Sequence, residues 1–212
     1  GPDGEQRIGV ALDTARVEVR EAVGGPAPRY VLPTGGGLGY GDFVLDPKSR
    51  AVLAREVETL PSALTRGAAY VTLGEDVVAG RLSPDAWVDL AMRALVAETD
   101  EQNVTRLLAY TGAAFWRHLD PAVRDQRAPS LERLARDGLA RASSRTSKAV
   151  WFQALVRMAR TPATIGWLAT VWRRDGKIDG LPLAEPDEIT LAQELAVREA
   201  RGWQDVLRAQ EA

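Results

Sequence analysis

The sequence predicts a mainly α-helical protein, an irregular array of antiparallel helices preceded by a small β-patterned segment. Three observations carry that expectation. From Pro47 onward, apolar residues recur at the period of amphipathic helices. Prolines sit behind short polar residues in Asp46-Pro47, Ser83-Pro84, Asp120-Pro121 and Thr161-Pro162. Proline is tolerated at a first helical turn, so each pair marks a new helix, with the polar residue as its cap. Before Asp46, apolar and polar residues alternate instead, the pattern of strands with one buried face. The chain therefore divides into a β-strand segment at 1–46, whose residues 1–4 read as a tag scar, and a helical domain at 47–212.

In the first part, Arg7 to Asp13 and Arg16 to Glu21 read as two strands, with Ile8, Val10 and Leu12, then Val17 and Val19, on one face. Gly24-Gly25-Pro26-Ala27-Pro28 is a turn, and Tyr30 to Leu32 with Tyr40 to Leu45 give two short strands more. Pro33 ends one of them by removing a ladder donor, and Gly35, Gly36, Gly37 and Gly39 allow positive φ in the turn that Tyr40 closes. Pro33, Gly37, Gly39 and Tyr40 are thus the structural junction between the two parts. A phosphate-cradling loop is excluded there, because a strand rather than a helix follows and no Gly-Lys-Ser/Thr occurs. Three or four strands cannot close a sandwich, so part of the sheet is expected to be missing or to lean on the helices.

In the second part the stripes are Trp87, Leu90, Ala91, Ala94 and Leu95; Val104, Leu107, Leu108, Thr111 and Phe115; and Leu131, Leu134, Ala135 and Leu139. Two more follow, Val150, Trp151, Ala154, Leu155 and Met158, then Ile165, Leu168, Ala169 and Trp172. Helix starts recur about every 20 residues, the spacing of antiparallel pairs stacked as an irregular solenoid similar to HEAT or armadillo arrays. Gly180 to Pro186 reads as a loop, followed by helical segments from Ile189 to Ala200 and Trp203 to Ala209.

Composition excludes several function classes. Twenty-seven Lys and Arg nearly balance 29 Asp and Glu, so no net field recommends nucleic acid, an anionic membrane surface or an acidic substrate. Cysteine is absent, which removes disulfides, thiolate metal sites and cysteine nucleophiles. No apolar run approaches the roughly 20 residues that span a bilayer, and no signal peptide opens the sequence, which points to the cytoplasm.

The junction Leu32-Pro33-Thr34 with Gly39-Tyr40 resembles the end of the β-sandwich and the start of the helical C-terminal domain in the aminopeptidase N family of zinc metallopeptidases. Glu98-Thr-Asp-Glu101, Ala113-Ala-Phe-Trp116, Thr161-Pro162 with Trp172, the run from Ile178 to Asp187, and Gly202-Trp203 are similar, in that order, to bacterial relatives with an endoplasmic-reticulum-aminopeptidase-like C-terminal domain. The likeness covers roughly residues 8 to 210. It departs from the family at Thr34, where relatives carry Asn, and at the chain end, where relatives continue. The resemblance implies a β-sandwich remnant ahead of a helical domain truncated at its C-terminus. It also implies zinc in a catalytic domain of the same polypeptide, and peptide substrates for the intact enzyme.

No catalytic, cofactor-binding or metal residue is assigned within this chain. The zinc site of that family needs His-Glu-x-x-His on one helix, yet His118 is the only histidine and sits at an expected helix C-terminus, a structural or solvent position. The family's Gly-x-Met-Glu-Asn motif is absent as well. Ser143, Ser144 and Ser147 read as a helix cap, and the carboxylates of Glu98–Glu101 and Glu185–Glu188 as charges answering helix N-termini. Trp87, Trp151 and Trp172 read as core, while Trp116 and Trp203 are left open. Arginines 124, 127, 133, 136, 141 and 145 read as a solvated face interleaved with Asp125, Glu132 and Asp137. Two functions are expected: the non-catalytic C-terminal domain of a zinc aminopeptidase, enclosing the active-site cavity and controlling peptide access, or a helical-repeat scaffold that binds a protein partner.

Overall fold

The computed structural model describes residues 8–11, 13–34 and 41–208. Nine α-helices follow one another among them: α1 Pro47–Glu56, α2 Ala63–Val78, α3 Pro84–Ala97, α4 Glu101–Arg117, α5 Pro121–Arg141, α6 Arg145–Met158, α7 Pro162–Trp172, α8 Glu185–Val197 and α9 Trp203–Arg208. Each of the four expected Pro-led starts begins a helix. Asp46, Ser83 and Thr161 accept backbone N–H bonds as caps. Asp120 differs: its backbone is extended, but its side chain makes no capping bond. Ser144 caps α6 through the Ser147 N–H, and Asp100 caps α4 through that of Asn103.

The helices form two layers. Contacts pair α1 with α2, α3 with α4, α5 with α6 and α7 with α8 across the layers. Within one layer α1 meets α3 and α3 meets α5, and within the other α2, α4, α6 and α8 follow in turn. Helices of one layer point the same way: Arg66 near the start of α2 reaches the start of α4, and the last turns of α4, α6 and α8 converge. Consecutive helices therefore run antiparallel, as the helix-pair spacing predicts. The core lies between the layers, and all five residues of the Trp87, Leu90, Ala91, Ala94, Leu95 stripe are buried. Such side chains contribute about 1.5–3 kcal/mol each for the large aliphatics.

The expected strands are not present: among the described residues there is no strand and no ladder. Residues 8–11 and 13–19 are irregular, with a bend at Thr14–Ala15, and largely exposed, and a short 3-10 turn at Arg20–Ala22 follows. A ladder needs a second extended segment within pairing distance, and what lies beside Tyr30–Leu32 is a helix. The Val31 N–H donates to Ser49 Oγ on α1 at 2.8 Å, and Lys48 Nζ donates to the Pro28 carbonyl at 3.1 Å. Tyr30 and Leu32 pack half-buried on the core, so this piece leans on the helices. Pro33 is exposed beside buried Thr34. Gly37, Gly39 and Tyr40 lie outside the described residues.

Three helix-borne glycines mark close approaches. A Cβ on Gly74 of α2 would sit 2.7 Å from the Tyr110 ring of α4, and one on Gly138 of α5 would sit 2.3 Å from the Trp151 ring of α6. At Gly67 it would meet Asn103 Oδ1 at 2.4 Å. Gly112 of α4, by contrast, faces open space.

Side chains tie the helices together through three buried carboxylates, two of them across the layers and one within a layer. Asp76 of α2 is fully buried and accepts from Arg50 Nε of α1 at 2.6 Å and from Arg81 Nε. The Glu98 side chain, fully shielded after α3, accepts from Arg66 Nε and Nη2 at 2.8 and 2.7 Å, from Tyr70 Oη, from Asn103 Nδ2 and from the Asp100 N–H. Its bonds from the Thr99 and Asp100 N–H groups fit the reading of a charge at the start of α4, and the Arg66 pair adds a link to α2. Glu132 of α5 is buried too, and it is no part of a solvated face. Its carboxylate accepts the N–H groups of Arg160 and Thr161 at 2.6 and 2.8 Å and the hydroxyls of Thr161 and Thr164. It therefore serves the free donors at the N-terminus of α7.

Burial alone would raise the Glu98 carboxyl, but Arg66, the Asp100 N–H and Asn103 outweigh it and hold it at about 2. The same carboxylate and burial push the Tyr70 hydroxyl well above its usual value.

Two predictions follow from packing and charge. Gly138→Ala will lower stability by about 1–3 kcal/mol, because the buried Trp151 ring cannot withdraw, whereas Gly112→Ala will raise it by roughly 0.5–1 kcal/mol. Thermal melts of the two variants beside the parent test the opposite signs. Because the Glu98 carboxyl is depressed on folding, its stabilisation is complete above the ordinary value of 4.5 and drains as pH falls toward 2. Urea midpoints of parent and Glu98→Gln should therefore converge between pH about 5 and about 2. A constant gap across that window would count against the assignment.

Candidate functional site

An open groove of about 790 Å³ runs along α4 from Thr105 and along α6 from Val150 to their C-terminal ends, where the end of α8 and Ile165 of α7 flank it. Its floor follows from a sequence of small residues on α4: Ala109, Gly112 and Ala113 recur at helical spacing and leave room between α4 and α6. Buried Leu108, Ala154 and Met158 complete it, and exposed Val197 of α8 stands on its edge.

Trp116 anchors one end. Its ring is half-buried, Nε1 donates to the Arg157 carbonyl at 2.7 Å, and Phe115 meets it edge-on at 5.1 Å. The Arg124 and Arg198 guanidiniums lie 4.9 and 5.5 Å from the ring centre, within cation–π range. Arg198 also donates to the carbonyls of Ala159 and Arg157 at 2.6 and 2.7 Å, and pairs with Glu194. Arg124 donates to those of Phe115, Trp116 and Leu119. Free carbonyls at the ends of α4 and α6 are thus met by side chains from α5 and α8.

This changes the reading of the arginine run. Arg124 stacks on Trp116, Arg127 bridges Asp85 and Asp89 of α3, and Arg136 reaches Thr164 and the Trp167 ring of α7. Arg133 and Arg141 are exposed, as a solvated face requires. Arg145 lies near the Pro182 carbonyl at 3.5 Å. The groove itself went unread because Arg117, Arg157 and Arg198 come from three helices about 40 residues apart, beyond any local pattern.

Other expected positions stand as follows. His118 is exposed at the C-terminus of α4. Ser144 also donates to Glu101, and Asp187 accepts the Ala184 N–H at the start of α8. Trp87 and Trp151 are buried, while Trp172 and Trp203 are half-buried. Among the described residues no group of three His, Asp or Glu side chains could hold a metal ion, and no helix is long and apolar enough to cross a membrane. No protein-family model matches the chain, and no curated protein matches it.

Trp116→Phe keeps the stacked ring and removes only the Nε1 donor, leaving the Arg157 carbonyl one partner short. The expected cost is about 1 kcal/mol. Trp116→Ala, which also empties the stack, will cost at least about 2 kcal/mol. Urea unfolding of both variants measures the difference.

Proposed function

We propose that the chain is a non-catalytic helical wall of a zinc aminopeptidase of the aminopeptidase N family, enclosing a cavity supplied by a catalytic domain and limiting which peptides enter. The observation that carries this reading is where the family-like elements fall. Leu32-Pro33 belongs to the strip leaning on α1, Glu98–Glu101 joins α3 to α4, and Thr161-Pro162 starts α7. The run from Ile178 to Asp187 leads into α8, and Gly202-Trp203 starts α9. Elements at helix junctions set the angle of one helix on the next, so their order carries more architectural information than the stripes between them.

Zinc would reside in that other domain, held by ligands this chain does not provide, and the partners are that domain and peptide substrates. A helical scaffold for a separate protein partner is the second reading, and the groove at the ends of α4, α6 and α8 favours it equally. The reading frame around this chain separates the two: an upstream His-Glu-x-x-His supports the first, and its absence from the full frame overturns it.

The chain by itself is expected to bind no stoichiometric zinc and to leave aminoacyl-arylamide substrates uncleaved, because one histidine and no cysteine cannot assemble a three-ligand site. Metal analysis by mass spectrometry with a fluorogenic peptidase assay checks this. One equivalent of zinc with metal-dependent turnover would overturn it.

A further inference from the structure

We propose that the groove at the C-terminal ends of α4, α6 and α8 binds an acidic peptide segment, with Arg117 and Arg157 holding side-chain carboxylates and the small-residue floor taking apolar side chains. The inference rests on the groove alone and stands whichever reading of the parent protein holds.

Local charge is the first support. Arg117, Arg157, Arg160 and Arg198 line the groove against Glu194 alone. A neighbouring cavity of about 760 Å³ shares Ile165 and Arg198 and adds Arg173 and Arg201 against Glu199. The whole chain carries a net charge of −2, so this face departs from the average.

Pairing is the second. Arg198 is committed to Glu194, Arg160 to Asp125 and Arg173 to Asp175. Arg117, Arg157 and Arg201 are exposed and have no acid partner among the described residues. Cations near helix C-termini also answer the macrodipole, typically for about 0.3–1 kcal/mol. Here, however, Trp116, Arg124 and Arg198 already serve the carbonyls of Phe115, Trp116, Arg157 and Ala159. The free forks of Arg117 and Arg157 are left to bind carboxylate, which a planar guanidinium grips with two parallel bonds.

The floor is the third. Gly112 faces open space and Ala109 and Ala113 flank it, so an extended backbone can approach closely, while exposed Val197 offers an apolar edge. Nucleic acid would call for a broad cationic field rather than a few arginines around an apolar trough.

The test is fluorescence anisotropy with a labelled peptide alternating glutamate and leucine, acetylated and amidated at its ends so that only side-chain carboxylates are offered. Saturable binding that weakens with added salt is expected. The Arg117→Glu, Arg157→Glu double variant should bind about tenfold more weakly or worse. Arg133→Glu, on the exposed side of α5, should bind like the parent. Arg133→Glu should melt like the parent, while the double variant, with two carboxylates placed at helix C-termini, should melt a few degrees lower and is assayed well below its midpoint. Equal binding of a glutamine–leucine peptide, an undiminished double variant, or single-stranded DNA binding as tightly as the peptide would each overturn the proposal.

Discussion

Helices stacked in two layers share no backbone hydrogen bonds, so side chains alone must set how far one helix slides past the next. Outside the helices, the longest backbone reaches among the described residues are Leu82 to Asp76 and Gly176 to Thr170, both local turns. Apolar contacts between layers are non-directional and tolerate sliding. Buried carboxylates do not, because each must find its full set of donors or carry an uncompensated charge, at about 3–5 kcal/mol for a broken pair. Asp76 joins α2 to α1 and to the turn after α2, Glu98 joins the α3–α4 junction to α2, and Glu132 joins α5 to α7.

The groove depends on the last of these. Glu132 holds the N–H groups of Arg160 and Thr161, which fixes the turn between α6 and α7. That turn carries the Ala159 carbonyl, and the Arg157 carbonyl lies two residues earlier, where Trp116 of α4 and Arg198 at the end of α8 converge. A carboxylate in one layer thus positions a polar, aromatic end wall in the other. Its donors are neutral, two amides and two hydroxyls at a helix N-terminus, where the helix dipole favours negative charge.

The legible part of the sequence was the part written in local chemistry. Proline behind a short polar residue located α1, α3, α5 and α7, and the apolar stripes located the core, because both depend on residues within one turn or two. Among the described residues before α1, the β reading failed for a reason of the same kind. Alternation says which face is apolar, but a strand exists only when another strand pairs with it, and Val31 instead spends its N–H on a helix side chain. Asp76 and Glu132 carry a signal in the sequence itself. Each lies on its helix's buried stripe, Asp76 three residues beyond Leu73 and Glu132 between Leu131 and Ala135. A charge at a stripe position asks for a buried partner. Glu98 gives no such sign, since it follows its helix and its partner Arg66 stands on another.

Charge shows the same limit from the other side. A nearly balanced total argued against any charged partner, yet a total averages over faces, and folding sorts them. On α5, Arg124, Arg127 and Arg136 are drawn inward by helix-end carbonyls, aspartates and a tryptophan ring, so a run that reads as basic presents mainly Arg133 and Arg141 to solvent. Around the groove the reverse happens: arginines spaced far apart along the chain meet at one layer's helix ends, with Glu194 as the one acid in the lining. Asp76 and Glu98 neutralise Arg50, Arg81 and Arg66 as they are shielded, so those pairs take arginines from the surface along with acids, whereas buried Glu132 takes only amides and hydroxyls. The surface a partner meets is therefore more basic at this groove than composition allows one to infer, because the helix ends gather Arg117, Arg157, Arg160 and Arg198 on one face beside Glu194.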